Sequence, residues 1–183
     1  MKKTALYIIL FSFGVSQQIT HTETYDNGNI KSITYYKKIR NGIENIKSEE
    51  YYNNGKKHTE SFYKDGSLHG RFRIWYKNGV KQSEVIYKDG QKDGISTFWN
   101  EIGQKSKEIT YKDGICQGLY KEWDSRGQIR KEENYKDGKE DGLCRAWYKN
   151  GQLNYEQNYK DGLIYGKLKR WYEDGRVMYE TEF

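Results

Sequence analysis

The chain has 183 residues, 34% of them hydrophobic and 32% charged, too thin an aliphatic share for a large two-layer interior. Its 5 Trp, 18 Tyr and 6 Phe exclude a disordered chain, and 19 Gly with no Pro exclude collagen-like and polyproline forms. A net charge of +6, with basic and acidic residues interleaved as in YKDG and KEEN, excludes the clustered cationic footprint of a nucleic-acid binder.

The first element is Met1-Lys2-Lys3 followed by the uncharged run Thr4 to Val15 and a polar Ser16-Gln17-Gln18. A basic start, a short apolar stretch and small residues at its end predict a secretory signal peptide over residues 1–16, and hence export to the periplasm or cell surface. The competing reading is a buried first strand or an uncleaved anchor, with a cytoplasmic location if the segment is no signal. Residues 17–183 are left as the folded domain.

That domain is a repeat. Tyr-Lys-Asp-Gly recurs at Tyr63, Tyr87, Tyr111, Tyr135 and Tyr159, always 24 residues apart. In phase with it run a second glycine (Gly70, Gly94, Gly118, Gly142, Gly166), a tryptophan (Trp75, Trp99, Trp123, Trp147, Trp171), a third glycine (Gly79 to Gly175) and a glutamate (Glu84, Glu108, Glu132, Glu156, Glu180). Upstream, Tyr51 takes the tryptophan position, Gly55 and Glu60 keep phase, and Asn41-Gly42 stands for Asp-Gly. A degenerate first unit over about 22–42 behaves as a cap.

Each unit holds two strand-length segments between glycine turns. The inner turn keeps only its last glycine; Ile102 before Gly103 rules out a type I′ turn, so a three-residue loop with a G1 bulge is expected. Tyr76 then faces Val80, and simple alternation puts Trp75, Arg73 and Ser83 on one face and Glu84, Phe72 and Ile74 on the other. The fold class predicted is all-β: a single-layer antiparallel meander of stacked β-hairpin repeats with a 24-residue period, elongated and twisted.

With Tyr-x-Asp/Asn-Gly, a second Gly, an aromatic five residues on and a third Gly all in phase, the chain resembles the bacterial variant of the MORN repeat and the YwqK-type antitoxin family built from it. The resemblance implies hairpin repeats and a binding role without catalysis, some relatives neutralising a partner toxin. It carries over no defined binding residue. The export signal points equally to a periplasmic immunity protein or to an envelope or surface scaffold.

The regular glutamate column is structural, since paired catalytic acids need unlike environments. Cys116, Cys144, His21, His58 and His69 share no ligand spacing, so no metal or cofactor is expected. Nor does the sequence hold a nucleophile set or a P-loop, and no enzyme is expected. The tryptophans are either the scaffold's aromatic core or interface anchors. Arg73, Thr97, Lys121, Arg145 and Lys169 form a mostly basic row beside them. That row is either a solvated face or, with Trp75, Trp99, Trp123, Trp147 and Trp171, a groove for a protein partner such as a toxin or envelope protein, with an anionic membrane surface as the secondary option.

Overall fold

A computed structural model describes Ala5–Ile8 and residues 18–183, all of whose regular structure is antiparallel strand. The predicted signal segment therefore lies outside the described residues except for β1, Ala5–Ile8, which pairs with β2, Gln18–Thr24. The chain forms two compact units, 1–91 and 92–183. No helix occurs among the described residues.

In the first unit β3 (Ile30–Ile39), β4 (Gly42–Tyr51), β5 (Lys57–Lys64), β6 (Ser67–Leu68), β7 (Gly70–Trp75) and β8 (Lys81–Lys88) follow β2 as a meander, each hydrogen-bonded to its sequence neighbour or to the strand just beyond a two-residue stub. The stub β9 (Gln91–Lys92) crosses the boundary in sequence. The second unit repeats the pattern with β10 (Gly94–Trp99), β11 (Lys105–Lys112), β12 (Ile115–Trp123) and β13 (Ile129–Lys136), then β14 (Lys139–Glu140), β15 (Gly142–Trp147), β16 (Leu153–Lys160), β17 (Leu163–Trp171) and β18 (Val177–Glu182). Each unit is one open sheet of hairpins, as the glycine phase predicts.

The inner turns are the expected three-residue loops. Gly79 N donates to Tyr76 O at 2.8 Å and Tyr76 N to Val80 O at 2.8 Å, with Gly79 at φ +91°. The same pair of bonds closes the loops at Tyr25, Tyr52, Asn100, Asp124, Tyr148 and Tyr172. The Tyr-Lys-Asp-Gly turns are two-residue loops with both Asp and Gly at positive φ, as at Asp137 (50°) and Gly138 (80°), the type I′ signature. The degenerate first repeat departs from this: its turn is Arg40-Asn41, with Gly42 already paired to Ile39, so Asn41-Gly42 does not stand for Asp-Gly.

The predicted faces need correction. Trp75 pairs with Lys81 but Ile74 pairs with Ser83, leaving Gln82 as an extra residue in a second bulge. Lys31, His58, Ser106, Arg130, Asn154 and Met178 are skipped in the same way. One added residue turns every later side chain to the other face. Glu84 consequently stands opposite Arg73, on the face of Trp75, while Ser83 and Val85 join Phe72 and Ile74. The three-residue turn holds; simple alternation beyond it does not.

Burial within a single layer comes from neighbours along the columns. On the face away from tryptophan, Ser83 and Val85 are buried in the first unit and Ser96, Cys144, Gln157 and Leu168 in the second. Phe72 meets the Tyr87 ring edge-on at 6.1 Å, and Tyr120 meets Tyr135 at 6.2 Å. Glu133 is also buried there, with Lys131 at 2.6 Å and the Tyr135 hydroxyl donating at 3.0 Å.

Candidate functional site

The second bulge decides the chemistry of the tryptophan face, because it places the glutamate column between the basic residues. Across the second unit, successive strand pairs give an unbroken transverse row: Thr97, Glu108, Lys121, Glu132, Arg145, Glu156, Lys169, Glu180. Lys121 lies 3.0 Å from Glu132, Arg145 2.7 Å from Glu156 and Lys169 3.0 Å from Glu180. Where Thr97 supplies no charge, Lys105 reaches Glu108 at 2.8 Å. The row expected to be basic is therefore a ladder of alternating sign, whose field cancels within a few ångströms rather than reaching out to an acidic partner.

Beside the ladder runs an apolar stripe in which Trp123 faces Ile129, Trp147 faces Leu153 and Trp171 faces Val177. The three tryptophans are half-buried and Val177 is exposed. Toward the start of the unit the stripe turns cationic: Trp99 faces Lys105, whose ammonium sits 5.4 Å from the Trp123 ring. Lys169 covers Trp171 similarly at 5.6 Å. The site residues on Lys121, Arg145, Lys169, Trp99, Trp123, Trp147 and Trp171 are thus brought together on one face.

In the first unit the same positions hold Tyr51, Trp75, Glu49 and Arg73. Glu49 stands opposite Glu60, a like-charge pair that folding tolerates through four partners. Lys47 lies 2.8 Å and Lys57 2.7 Å from Glu49, while the Tyr51 and Tyr35 hydroxyls donate to it at 2.7 and 2.9 Å. Burial opposes its ionisation, but these bonds outweigh burial and bring its carboxyl down to about 2. Burial and the bond to Glu49 push the Tyr51 phenol up. Arg73 bridges Glu60 at 2.5 Å and Glu84 at 2.7 Å, and Lys57 stacks over Trp75 at 5.7 Å. Every charge in this cluster has its counter-ion, the arrangement of a structural network rather than of an acid–base pair.

In three repeats the residue before the second glycine, variable in sequence, bonds the amide of the next tetrad turn. His69 Nδ1 lies 3.5 Å from the Asp89 amide, Gln117 Oε1 accepts from Asp137 N at 2.8 Å, and Asp141 Oδ2 from Asp161 N at 3.3 Å. Any side chain with an acceptor serves, which is why the column varies. A cavity of about 410 Å³ opens at this turn margin in the second unit, between Lys136 and Lys160. No group of three or more His, Cys, Asp or Glu fit to hold a metal occurs among the described residues.

Comparison with known proteins adds the family. The MORN repeat variant family matches residues 18–38, 44–65, 68–89, 117–137 and 140–161, more than half of the chain. A search of curated proteins returns no match. The unmatched stretch between Asp89 and Gln117 carries the same strands, loop and bulge as its neighbours, so the repeat extends through it. Such repeats are non-enzymatic modules that bind proteins or membranes. By the match and by the hairpin it describes, the chain belongs to the MORN repeat variant family.

Proposed function

We propose that this chain is a protein-binding module that recognises one partner through the tryptophan face of its second unit and neutralises it, in the manner of the YwqK-type antitoxins it resembles. The observation that supports this reading is the stripe of Trp123, Trp147 and Trp171 alongside a ladder of fixed, alternating charge. Half-exposed tryptophans supply anchor area, and an alternating ladder selects a partner by register rather than by net charge. An acidic protein or an anionic bilayer needs free cations, which this face does not offer because its glutamates hold them. The basic start and apolar run of residues 1–16 support export, which makes the partner a periplasmic or surface protein and the chain an immunity factor rather than a cytoplasmic antitoxin.

The test is co-expression of the full chain with the product of the neighbouring gene. Rescue of growth by the wild type, lost when Lys121 and Arg145 are both changed to Glu without loss of folded signal by circular dichroism, is the expected result. Growth that the chain does not rescue overturns the neutraliser reading; rescue by the charge-reversed variant overturns the face.

A further inference from the structure

We propose that the stripe of Trp123, Trp147 and Trp171 docks a proline-rich segment of the partner in the polyproline II conformation, with a proline at every third residue. This rests on the reading of the tryptophan face as the binding surface, and it names the chemistry of what that face holds.

Spacing is the first reason. Neighbouring strands lie about 4.8 Å apart and each repeat adds two, so these tryptophans recur about every 9.6 Å across the sheet. A polyproline II helix returns the same side to a surface every three residues, a rise of about 9.3 Å. From Trp123 to Trp171 its mismatch accumulates to about 0.6 Å. A heptad of α-helix rises about 10.5 Å and accumulates about 1.8 Å over the same two intervals. Sheets also twist from strand to strand, and a chain without internal hydrogen bonds follows that twist where an α-helix would have to bend.

The chemistry of the stripe is the second reason. Trp123, Trp147 and Trp171 are half-buried and stand opposite Ile129, Leu153 and Val177, so each repeat sets an aromatic beside an aliphatic surface, a lining suited to pyrrolidine rings. Their indole N–H groups make no hydrogen bond among the described residues and are not buried. A polyproline chain, whose carbonyls have no partner of their own, accepts from such donors. Trp75 and Trp99 face Lys81 and Lys105 instead, which begins the stripe at Trp123. Lysines sit over the rings of Trp123 and Trp171, but among the described residues none sits over Trp147, the central anchor. The ladder alongside offers one cation and one anion per repeat, hence per peptide turn, and so favours polar residues between the prolines.

Titration of the full chain with end-capped nonaproline, followed by calorimetry and by proton–nitrogen correlation spectra of the indoles, tests this. Saturable binding is expected, with the indole signals of Trp123, Trp147 and Trp171 shifting and that of Trp75 staying in place. Hexaproline and then triproline should each bind several-fold more weakly, because each lost turn releases one tryptophan. Trp147→Phe keeps an aromatic ring and removes the donor, and should weaken nonaproline about fivefold while the circular dichroism spectrum is unchanged. The length series needs no variant and stands if Trp147→Phe fails to fold. The proposal is overturned by absence of saturable binding, by equal affinity for nonaproline and triproline, by unchanged affinity in a folded Trp147→Phe, or by tighter binding of a heptad-patterned amphipathic helix. Growth rescue without nonaproline binding would refute only the ligand assigned here; nonaproline binding without growth rescue would refute only the neutraliser reading.

Discussion

Arg145 and Glu156 face each other across β15 and β16, guanidinium Nε 2.7 Å from Oε2, on the same face as Trp147. They meet because Asn154 is taken up in a bulge between Leu153 and Tyr155, which shifts Glu156 by one position from where alternation alone would put it. The same device pairs Lys121 with Glu132 and Lys169 with Glu180. A ladder of this kind fixes strand register, since a slip of one residue would turn every glutamate away from its cation.

The rungs are unequal in energy. Arg145 and Glu156 are 39% and 37% exposed, so solvent screens them, and Arg145→Ala should cost less than about 1 kcal/mol. Arg73 holds Glu60, only 9% exposed, as well as Glu84. Arg73→Ala should cost about 1 to 3 kcal/mol, because a buried carboxylate loses a charged hydrogen bond while keeping Lys47 and Lys57. Urea denaturation of the two variants checks the order; equal costs would mean that burial does not grade the ladder.

Glycine positions separate backbone cost from crowding. Gly127 has φ +77° with nothing within 4 Å of an added Cβ, so Gly127→Ala should cost only the left-handed conformation, about 1 to 2 kcal/mol. Gly142 has φ +110° and an added Cβ would sit 3.3 Å from Asn134 Cβ, whose amide already donates to Leu143 O at 2.7 Å. Gly142→Ala should therefore be the more damaging, and thermal melts that reversed the order would show the Asn134 contact to be soft.

The repeat, its period and the three-residue loop are legible in the sequence because glycine at positive φ is a local requirement that Gly79 or Gly103 states by itself. The faces are not. Gln82, Ser106, Arg130 and Asn154 have no feature in common, since a bulged residue needs no particular side chain, and so the inversion that unites Glu84 with Trp75 leaves no compositional trace. The 24-residue recurrence of glutamate three residues before the tetrad tyrosine, with a cation two before four of the five tryptophans, is the signal that could have found the pairing.

Acid should weaken the first unit through Glu49. Its carboxyl titrates at about 2 in the folded chain against an ordinary 4.5, so its stabilisation is complete above about 4.5 and is lost as pH falls toward 2. The full effect is on the order of 3 kcal/mol, which the 5% exposure of Glu49 leaves largely undiluted by solvent. Glu49→Gln should lower the melting temperature at about pH 7 and flatten its decline between about pH 5 and pH 3. Parallel declines in wild type and variant would remove Glu49 as the source.

Cys144 offers a probe of the second unit from within. It is fully buried opposite Gln157, and burial pushes its thiol up; Cys116, half-buried, is also raised by burial and by Glu133. Since thiolate fraction and access control reactivity, a neutral thiol reagent should modify Cys116 through small local motions and Cys144 only when β15 separates from β16. The two cysteines should thus react in two phases, and Cys116→Ser should leave only the slow one. Low urea should accelerate that slow phase with a slope approaching that of global unfolding, because exposing Cys144 requires breaking the Gly142-to-Trp147 pairing with β16. A single fast phase for both thiols would show that β15 opens freely, and the buried row through Cys144, Gln157 and Leu168 could then not be what holds the second unit together.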